Sequence, residues 1–187
     1  MKKKHLYIET FGCQMNVHDS EQMAVLLRDQ GFESTEDSAK ADCILINTCS
    51  IREKAEQKAM SELGRLMKLK EKKPELIVGF AGCLAQHLGA RVHSRVKNVD
   101  LVFGTHNIHR LPEMIARVQK ERKPVTEVGF SSSLHSLGIF APPQNGAISA
   151  FVSIMQGCDN YCAYCVVPYL RGPEMSREPK DIVGEIE

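Results

Sequence analysis

Short apolar runs alternate with amphipathic stretches from Leu6 to about residue 130, and this alternation limits the possible folds more than any other feature. The apolar runs lie at residues 6–10, 43–47, 76–80 and 100–103. Short apolar runs that alternate with helical patterns are typical of βα units and a parallel sheet. The sequence therefore predicts an α/β fold with an open, mostly parallel sheet and flanking helices.

Helices are predicted between the apolar runs, at residues 20–30, 52–72 and 108–120. The second of these stretches repeats small and apolar side chains near helical spacing, with Lys and Glu on its other face. Gly31 and Pro74 lie where helix stops are expected, and Pro112 fits the first turn of the third helix.

The composition changes between residues 131 and 146, where Ser, Pro and Gly are frequent and no period is sustained. Such a stretch is typical of a linker. We therefore expect an N-terminal domain over residues 1–130 and a second domain that starts at 147, with a strand at 147–155 and a helix near Pro179. A complete β/α barrel needs about 200 residues or more, so the second domain is expected to be truncated.

Cys158, Cys162 and Cys165 form a C-x3-C-x2-C run. Three thiolates this close in sequence can hold three corners of a cubic iron–sulfur cluster and leave the fourth iron open. A zinc site remains an alternative, although structural zinc needs four ligands and only one C-x2-C spacing occurs here. Disulfides are disfavoured because seven cysteines is an odd number and the chain shows no signal peptide.

Cys13, Cys49 and Cys83 are far apart in sequence, yet each follows an apolar run by two or three residues. The carboxyl ends of parallel strands meet at one edge of a sheet, where ligands bind. Gly12 and Gly82 would let the backbone approach a bulky inorganic group, and the following helix starts offer free N–H donors to an anion. The sequence thus predicts a second cluster site, with burial of these cysteines as small hydrophobes as the alternative.

The remaining polar and thiol side chains give weaker signals. Cys43 starts an apolar run and is expected to be a packed thiol, whereas His106 and His109 are expected to be exposed near a helix cap. The 24 basic and 23 acidic residues give no overall attraction for nucleic acid. No apolar stretch approaches the length of a bilayer span, so no membrane partner and a cytoplasmic location are expected.

The C-x3-C-x2-C run, with the aromatic Tyr164 before its last cysteine, resembles the radical S-adenosylmethionine enzymes. The resemblance implies that S-adenosylmethionine binds the open iron and is cleaved to a carbon radical. It also implies that the segment at 147–187 is the truncated start of a radical S-adenosylmethionine β/α barrel. Tyr164 is then a candidate cofactor-binding residue.

Four motifs together resemble the methylthiotransferase family, and they lie at residues 10–16, 47–58, 82–86 and 103–114. The Ser-Ile-Arg-Glu-Lys flank at 50–54 favours the branch that modifies tRNA over the branch that modifies a ribosomal protein. The resemblance implies two [4Fe-4S] clusters, one on Cys13, Cys49 and Cys83 and one on Cys158, Cys162 and Cys165. Arg171 and Arg177 match the family's R-G-x-E-x-S-R pattern and are candidates to bind S-adenosylmethionine or a tRNA phosphate.

The activity that the family resemblance implies is the methylthiolation of C2 of isopentenyl-adenosine next to the anticodon. Its expected partners are tRNA that carries isopentenyl-adenosine, S-adenosylmethionine, a sulfur donor and a low-potential electron donor. The chain is expected to bind clusters but not to complete turnover, because most of the barrel is missing. The alternatives are an enzyme that acts on a ribosomal protein and an iron–sulfur carrier without chemistry of its own.

Overall fold

The protein is described here by a computed structural model that covers residues 3–50, 53–131, 139 and 149–187. Its main sheet has six parallel strands in the order β2-β1-β3-β4-β5-β6. The strands are β1 Lys4–Phe11, β2 Phe32–Ser34, β3 Cys43–Thr48, β4 Ile77–Ala81, β5 Leu101–Phe103 and β6 Val125–Glu127. The predicted α/β fold with an open parallel sheet is confirmed.

Helices cover both faces of this sheet. They are α1 Gln14–Arg28, α2 Glu53–Lys72, α3 Cys83–Leu88, α4 Arg91–Arg95 and α5 Leu111–Glu121, with a 3₁₀ helix at Thr105–Arg110 before α5. Apolar side chains of α1 and α5 form one core, and those of α2, α3 and α4 form the other. Burial on both faces explains why β4 is wholly apolar and why β3 is apolar from Cys43 to Ile46, as is usual for central parallel strands.

Two sequence predictions on single residues are confirmed. Cys43 is fully buried in the core at the start of β3, as a packed thiol. Pro112 lies in the first turn of α5, where its missing N–H costs no hydrogen bond.

The predicted bounds of α1 are wrong by six residues, since the helix begins at Gln14 rather than at Ser20. The short strands β2 and β6 were not predicted. Each is three residues long and includes a glutamate, so neither gives the apolar run by which a buried strand is recognised.

The segment from residue 149 onward contains two short helices and a two-stranded antiparallel pair. These are α6 Val167–Arg171, α7 Pro179–Ile186, β7 Met155–Gln156 and β8 Met175–Ser176. Of the strand predicted at 147–155, residues 149–154 are not in a strand, and no start of a β/α barrel is visible in this segment. A barrel strand needs parallel neighbours, and the described residues after 149 provide none.

The predicted linker at 131–146 lies, apart from Ser131 and Ile139, outside the described residues. Within the described residues, no helix combines the length and the apolar character that a membrane crossing requires.

Candidate metal centre

Cys13, Cys49 and Cys83 meet at the carboxyl edge of the main sheet. Cys13 is the N-cap of α1 just after β1, Cys49 directly follows β3, and Cys83 is the first residue of α3 after β4. Since β1, β3 and β4 are neighbours in the sheet, their carboxyl ends lie side by side. All three cysteines line one cavity of about 250 Å³, so the structure brings together the trio that the sequence singled out.

The cavity lies at the point where the strand order reverses. The chain goes from β1 outward to β2 and then returns to the other side of β1 with β3. In open α/β sheets, the loops on the two sides of such a switch point separate and leave a crevice for a ligand. Cys13 and Cys49 flank this crevice, which is the usual ligand site of the fold.

The three thiols differ in their access to solvent. Cys13 is exposed, whereas Cys49 and Cys83 expose 3% and 6% of their surface. Burial raises the pKa of the Cys83 thiol, while the positive charge of Arg171 acts in the opposite direction. Iron ions that bind the sulfur would favour the thiolate form that burial disfavours.

A buried polar network holds the loop of Cys13 against the end of β3. The Asn47 side-chain amide donates to the Asn16 carbonyl oxygen at 2.7 Å and to Ser20 Oγ at 2.9 Å, and Asn16 Nδ2 donates to Asn47 Oδ1 at 3.2 Å. Asn16 Oδ1 also lies 3.4 Å from the Cys13 sulfur. Because both asparagines are fully buried, these bonds fix the start of α1 relative to β3.

Two glycines allow the close approach of the cysteine loops. A Cβ atom on Gly12 would lie 2.7 Å from the Cβ of Cys49, and one on Gly82 would lie 2.6 Å from the carbonyl oxygen of Thr48. The backbone of Gly82 has a φ of +90°, which strongly favours glycine. The loops therefore pack together more tightly than any side chain at these positions would permit.

The second trio lies in the loop between β7 and α6. Cys158 and Cys165 are half-buried and Cys162 is exposed. The loop folds back on itself, since the amide of Cys165 donates to the carbonyl oxygen of Cys162 at 2.9 Å. Gly157 and Val166, which flank this trio, both line the cavity of the first trio.

The three candidate cofactor-binding residues have different surroundings. Tyr164 exposes 93% of its surface beside Cys165. Arg171 is buried and donates to the Asp19 carboxylate at 2.7 Å. Arg177 donates to the carbonyl oxygen of Ser153 at 2.8 Å and forms an ion pair with Glu185.

The prediction that His106 and His109 are exposed is wrong. His106 is fully buried, and His109 is half-buried. His106 Nε2 lies 2.7 Å from the carbonyl oxygen of Arg171, and its ring packs edge-on against Phe130. A carbonyl oxygen only accepts, so Nε2 carries the proton in this bond. The partner is 65 residues away in the chain, which is why a local reading of the sequence missed it.

The arrangement of the cysteines suits an iron–sulfur cluster better than a single metal ion. Within the described ranges, no three His, Cys, Asp or Glu side chains converge on a point as ligands of a single metal ion do. A four-iron cluster makes a different demand, because each cysteine binds a different iron and their sulfurs surround a volume. Three cysteines around a cavity, with an arginine in its wall, fit an anionic cluster of this kind.

Local patterns did not predict Asp19, Asn16, Asn47 or His106 as parts of this site. The two asparagines stand two or three residues from a cysteine, in motifs already recognised by their cysteines. An asparagine within three residues of a candidate ligand is therefore a sequence signal for a polar residue of the site. The role of Asp19 gives no such signal, because it depends on a partner 152 residues away.

Comparison with known proteins places the chain in a family. It belongs to the family described as uncharacterized protein family UPF0004, whose model matches residues 5–104. The matched region contains the first cysteine trio and nearly all of the parallel sheet.

Relatives of this chain named tRNA-2-methylthio-N(6)-dimethylallyladenosine synthase align over almost its entire length. The protein of Syntrophus aciditrophicus is 56% identical over 100% of this chain, that of Geobacter metallireducens 53% over 98%, and that of Geotalea uraniireducens 48% over 99%. These names confirm the resemblance to the methylthiotransferases. The chain spans only 40% to 42% of the length of these relatives.

Proposed function

We propose that this chain forms the cluster-binding part of a radical S-adenosylmethionine methylthiotransferase that modifies tRNA. The observation that carries the proposal is the single cavity lined by Cys13, Cys49 and Cys83, with residues that flank the second trio in its wall. The names of the relatives support the same activity.

Two [4Fe-4S] clusters are proposed, one on each cysteine trio. Three thiolates bind three irons of a cluster and leave the fourth iron open for a second ligand. When bound, such clusters supply a low-potential electron that cleaves S-adenosylmethionine to a carbon radical and an iron site that holds sulfur for methylation. The chain's own part is to hold the first group at the cavity, to carry the second on the loop whose flanks Gly157 and Val166 line that cavity, and to keep bulk water from two thiols of the first trio.

Tyr164 and Arg177 are proposed to contact S-adenosylmethionine at the second trio. The exposed ring of Tyr164 is available beside Cys165. Arg177 would exchange its partner Glu185 for the carboxylate of the cofactor, since the guanidinium group binds carboxylates through the same paired N–H donors. Residues 1–130, 131–146 and 147–187 are proposed as the sheet domain, the linker and the start of the radical domain.

The proposed substrate is tRNA that carries N6-dimethylallyl (isopentenyl) adenosine next to the anticodon. The C2–H bond of adenine has no acidic proton for a general base to remove, so a radical is the suitable reagent. A sulfur donor and a low-potential electron donor are further partners. Action on tRNA also implies a cytoplasmic location.

The substrate is tested in cells by deleting the full-length gene and analysing hydrolysed tRNA by mass spectrometry. We expect the methylthio-adenosine to disappear and to return when the wild-type gene is supplied. A Cys83→Ala gene should fail to restore it, whereas Cys43→Ala, a change at a buried cysteine outside the cavity, should restore it. Methylthio-adenosine that persists in the deletion strain would contradict the tRNA substrate.

One reaction product distinguishes the enzyme from an iron–sulfur carrier. An enzyme of this class releases 5′-deoxyadenosine when the full-length protein meets reductant and S-adenosylmethionine, whereas a carrier releases none. We expect the nucleoside in amounts that depend on Cys158, Cys162 and Cys165. Its absence from a reconstituted full-length protein would favour the carrier.

A further inference from the structure

Arg171 connects the segment of the second cysteine trio to the sheet domain that carries the first. It is the last residue of α6, six positions after Cys165, and it exposes only 7% of its surface. Its guanidinium group donates to the Asp19 carboxylate of α1 at 2.7 Å, and its carbonyl oxygen accepts from His106. Backbone and side chain are thus both held by the sheet domain.

The same guanidinium group lies at the first trio. Arg171 lines the cavity together with Cys13, Cys49 and Cys83. Asp19 accepts from one side of the guanidinium group, which has five N–H donors in a fixed plane. The ion pair therefore fixes the orientation of the remaining donors of Arg171. The pair with Asp19 thus holds this guanidinium group at the wall of the first trio's cavity.

We propose that Arg171 is a positioning residue for the first cysteine trio, where it donates an N–H···S hydrogen bond to Cys83 and is oriented by the buried carboxylate of Asp19. This inference rests on the proposed function, because it assumes that the first trio holds a cluster. Hydrogen bonds to ligand sulfur and nearby positive charge stabilise the more negative, reduced form of an iron–sulfur cluster. Arg171 therefore raises the reduction potential of the first cluster.

The test measures the reduction potential of the first cluster in the chain with Cys158, Cys162 and Cys165 changed to alanine. The chain is reconstituted anaerobically with iron and sulfide and titrated by absorbance and electron paramagnetic resonance, without S-adenosylmethionine. We expect Arg171→Met to shift the midpoint potential to more negative values at unchanged iron content. Arg171→Lys, which keeps the charge but loses the planar fork, should shift it less.

Arg110→Met is the matched control. Arg110 is also an ion-paired arginine, bonded to Glu127 at 2.8 Å, but it does not line the cavity. Its substitution should leave the midpoint potential where it was. If Arg171→Met or, should that variant fail to fold, Arg171→Lys gives the same midpoint as the parent, the inference is overturned. A parent chain that binds no iron would instead contradict the proposed function itself.

Discussion

Gly82 sets the distance between the ends of β3 and β4. Its φ of +90° is unfavourable for any residue with a side chain, and a Cβ atom would meet the carbonyl oxygen of Thr48. That oxygen belongs to the backbone of a buried strand and has little freedom to move. One residue without a side chain thus brings Cys83 to the neighbourhood of Cys49.

Gly82→Ala is expected to lower the free energy of unfolding by about 2 kcal/mol or more, through backbone strain and a steric clash. Gly64→Ala is the control, because Gly64 lies in α2 with no atom near its Cβ position. There alanine should raise the free energy of unfolding by about 1 kcal/mol through helix propensity. Urea denaturation measures both changes, and equal effects would contradict the account.

The buried thiol of Cys43 makes the free energy of unfolding depend on pH in the alkaline range. Burial raises the pKa of its thiol well above the ordinary value, so the folded chain keeps the proton while the unfolded chain releases it above about pH 8.5. The stability that this thiol contributes is complete below that pH and is lost as the pH rises, by up to about 1.4 kcal/mol per pH unit.

Cys43→Ala should therefore flatten the fall of the free energy of unfolding between pH 8 and pH 10, whatever its effect at pH 7. Urea titrations of the wild type and the variant at several pH values in this interval measure the difference in slope. Parallel curves would show that the Cys43 thiol does not titrate on unfolding.

At the scale of elements, apolar periodicity predicted the parts of the fold that are held by apolar contacts. The runs at 43–47 and 76–80 correspond to buried strands, and the apolar side chains predicted on one face of α2 pack in the core. The first turns of α1, before Ser20, escaped prediction because their buried residues are polar, namely Asn16, His18 and Asp19. Asn16 and Asp19 bond to Asn47 and Arg171, 31 and 152 residues away, and a local pattern carries no record of such partners.

The interaction between Asn16 and Asn47 is the main polar connection of α1 to β3, and a double-mutant cycle measures it. Asn47→Ala and Asn16→Ala should each lower the free energy of unfolding by about 1–3 kcal/mol, since each leaves buried polar atoms unpaired. The double variant should lose less than the sum, with a coupling of about 1 kcal/mol. Additive effects would mean that the two amides act independently.

At the scale of the whole molecule, a buried ion pair joins the sheet domain to the segment after residue 149. Asp19 and Arg171 expose only 7% and 9% of their side chains. Removing one charge of a buried pair leaves the other without a partner in a medium of low polarity. The position of α6 against the sheet domain therefore depends on the pair of Asp19 and Arg171.

Asp19→Asn is expected to lower the free energy of unfolding by about 3 kcal/mol and to raise hydrogen exchange in α6. The exposed pair of Glu75 and Arg122 is the control, and Glu75→Gln should cost less than about 1 kcal/mol. Amide exchange followed by mass spectrometry locates the effect. Unchanged exchange in α6 would show that the ion pair does not hold this segment.

The most direct test of the central claim is a count of iron after anaerobic reconstitution of the chain with iron and sulfide. Two four-iron clusters predict about eight irons per chain in the wild type and about four when either cysteine trio is replaced by alanine. The Cys43→Ala chain should keep the full count, because this cysteine lies in the core away from the cavity. A wild-type chain that binds about one metal ion, or a triple variant at Cys13, Cys49 and Cys83 that binds as much iron as the wild type, would contradict the account.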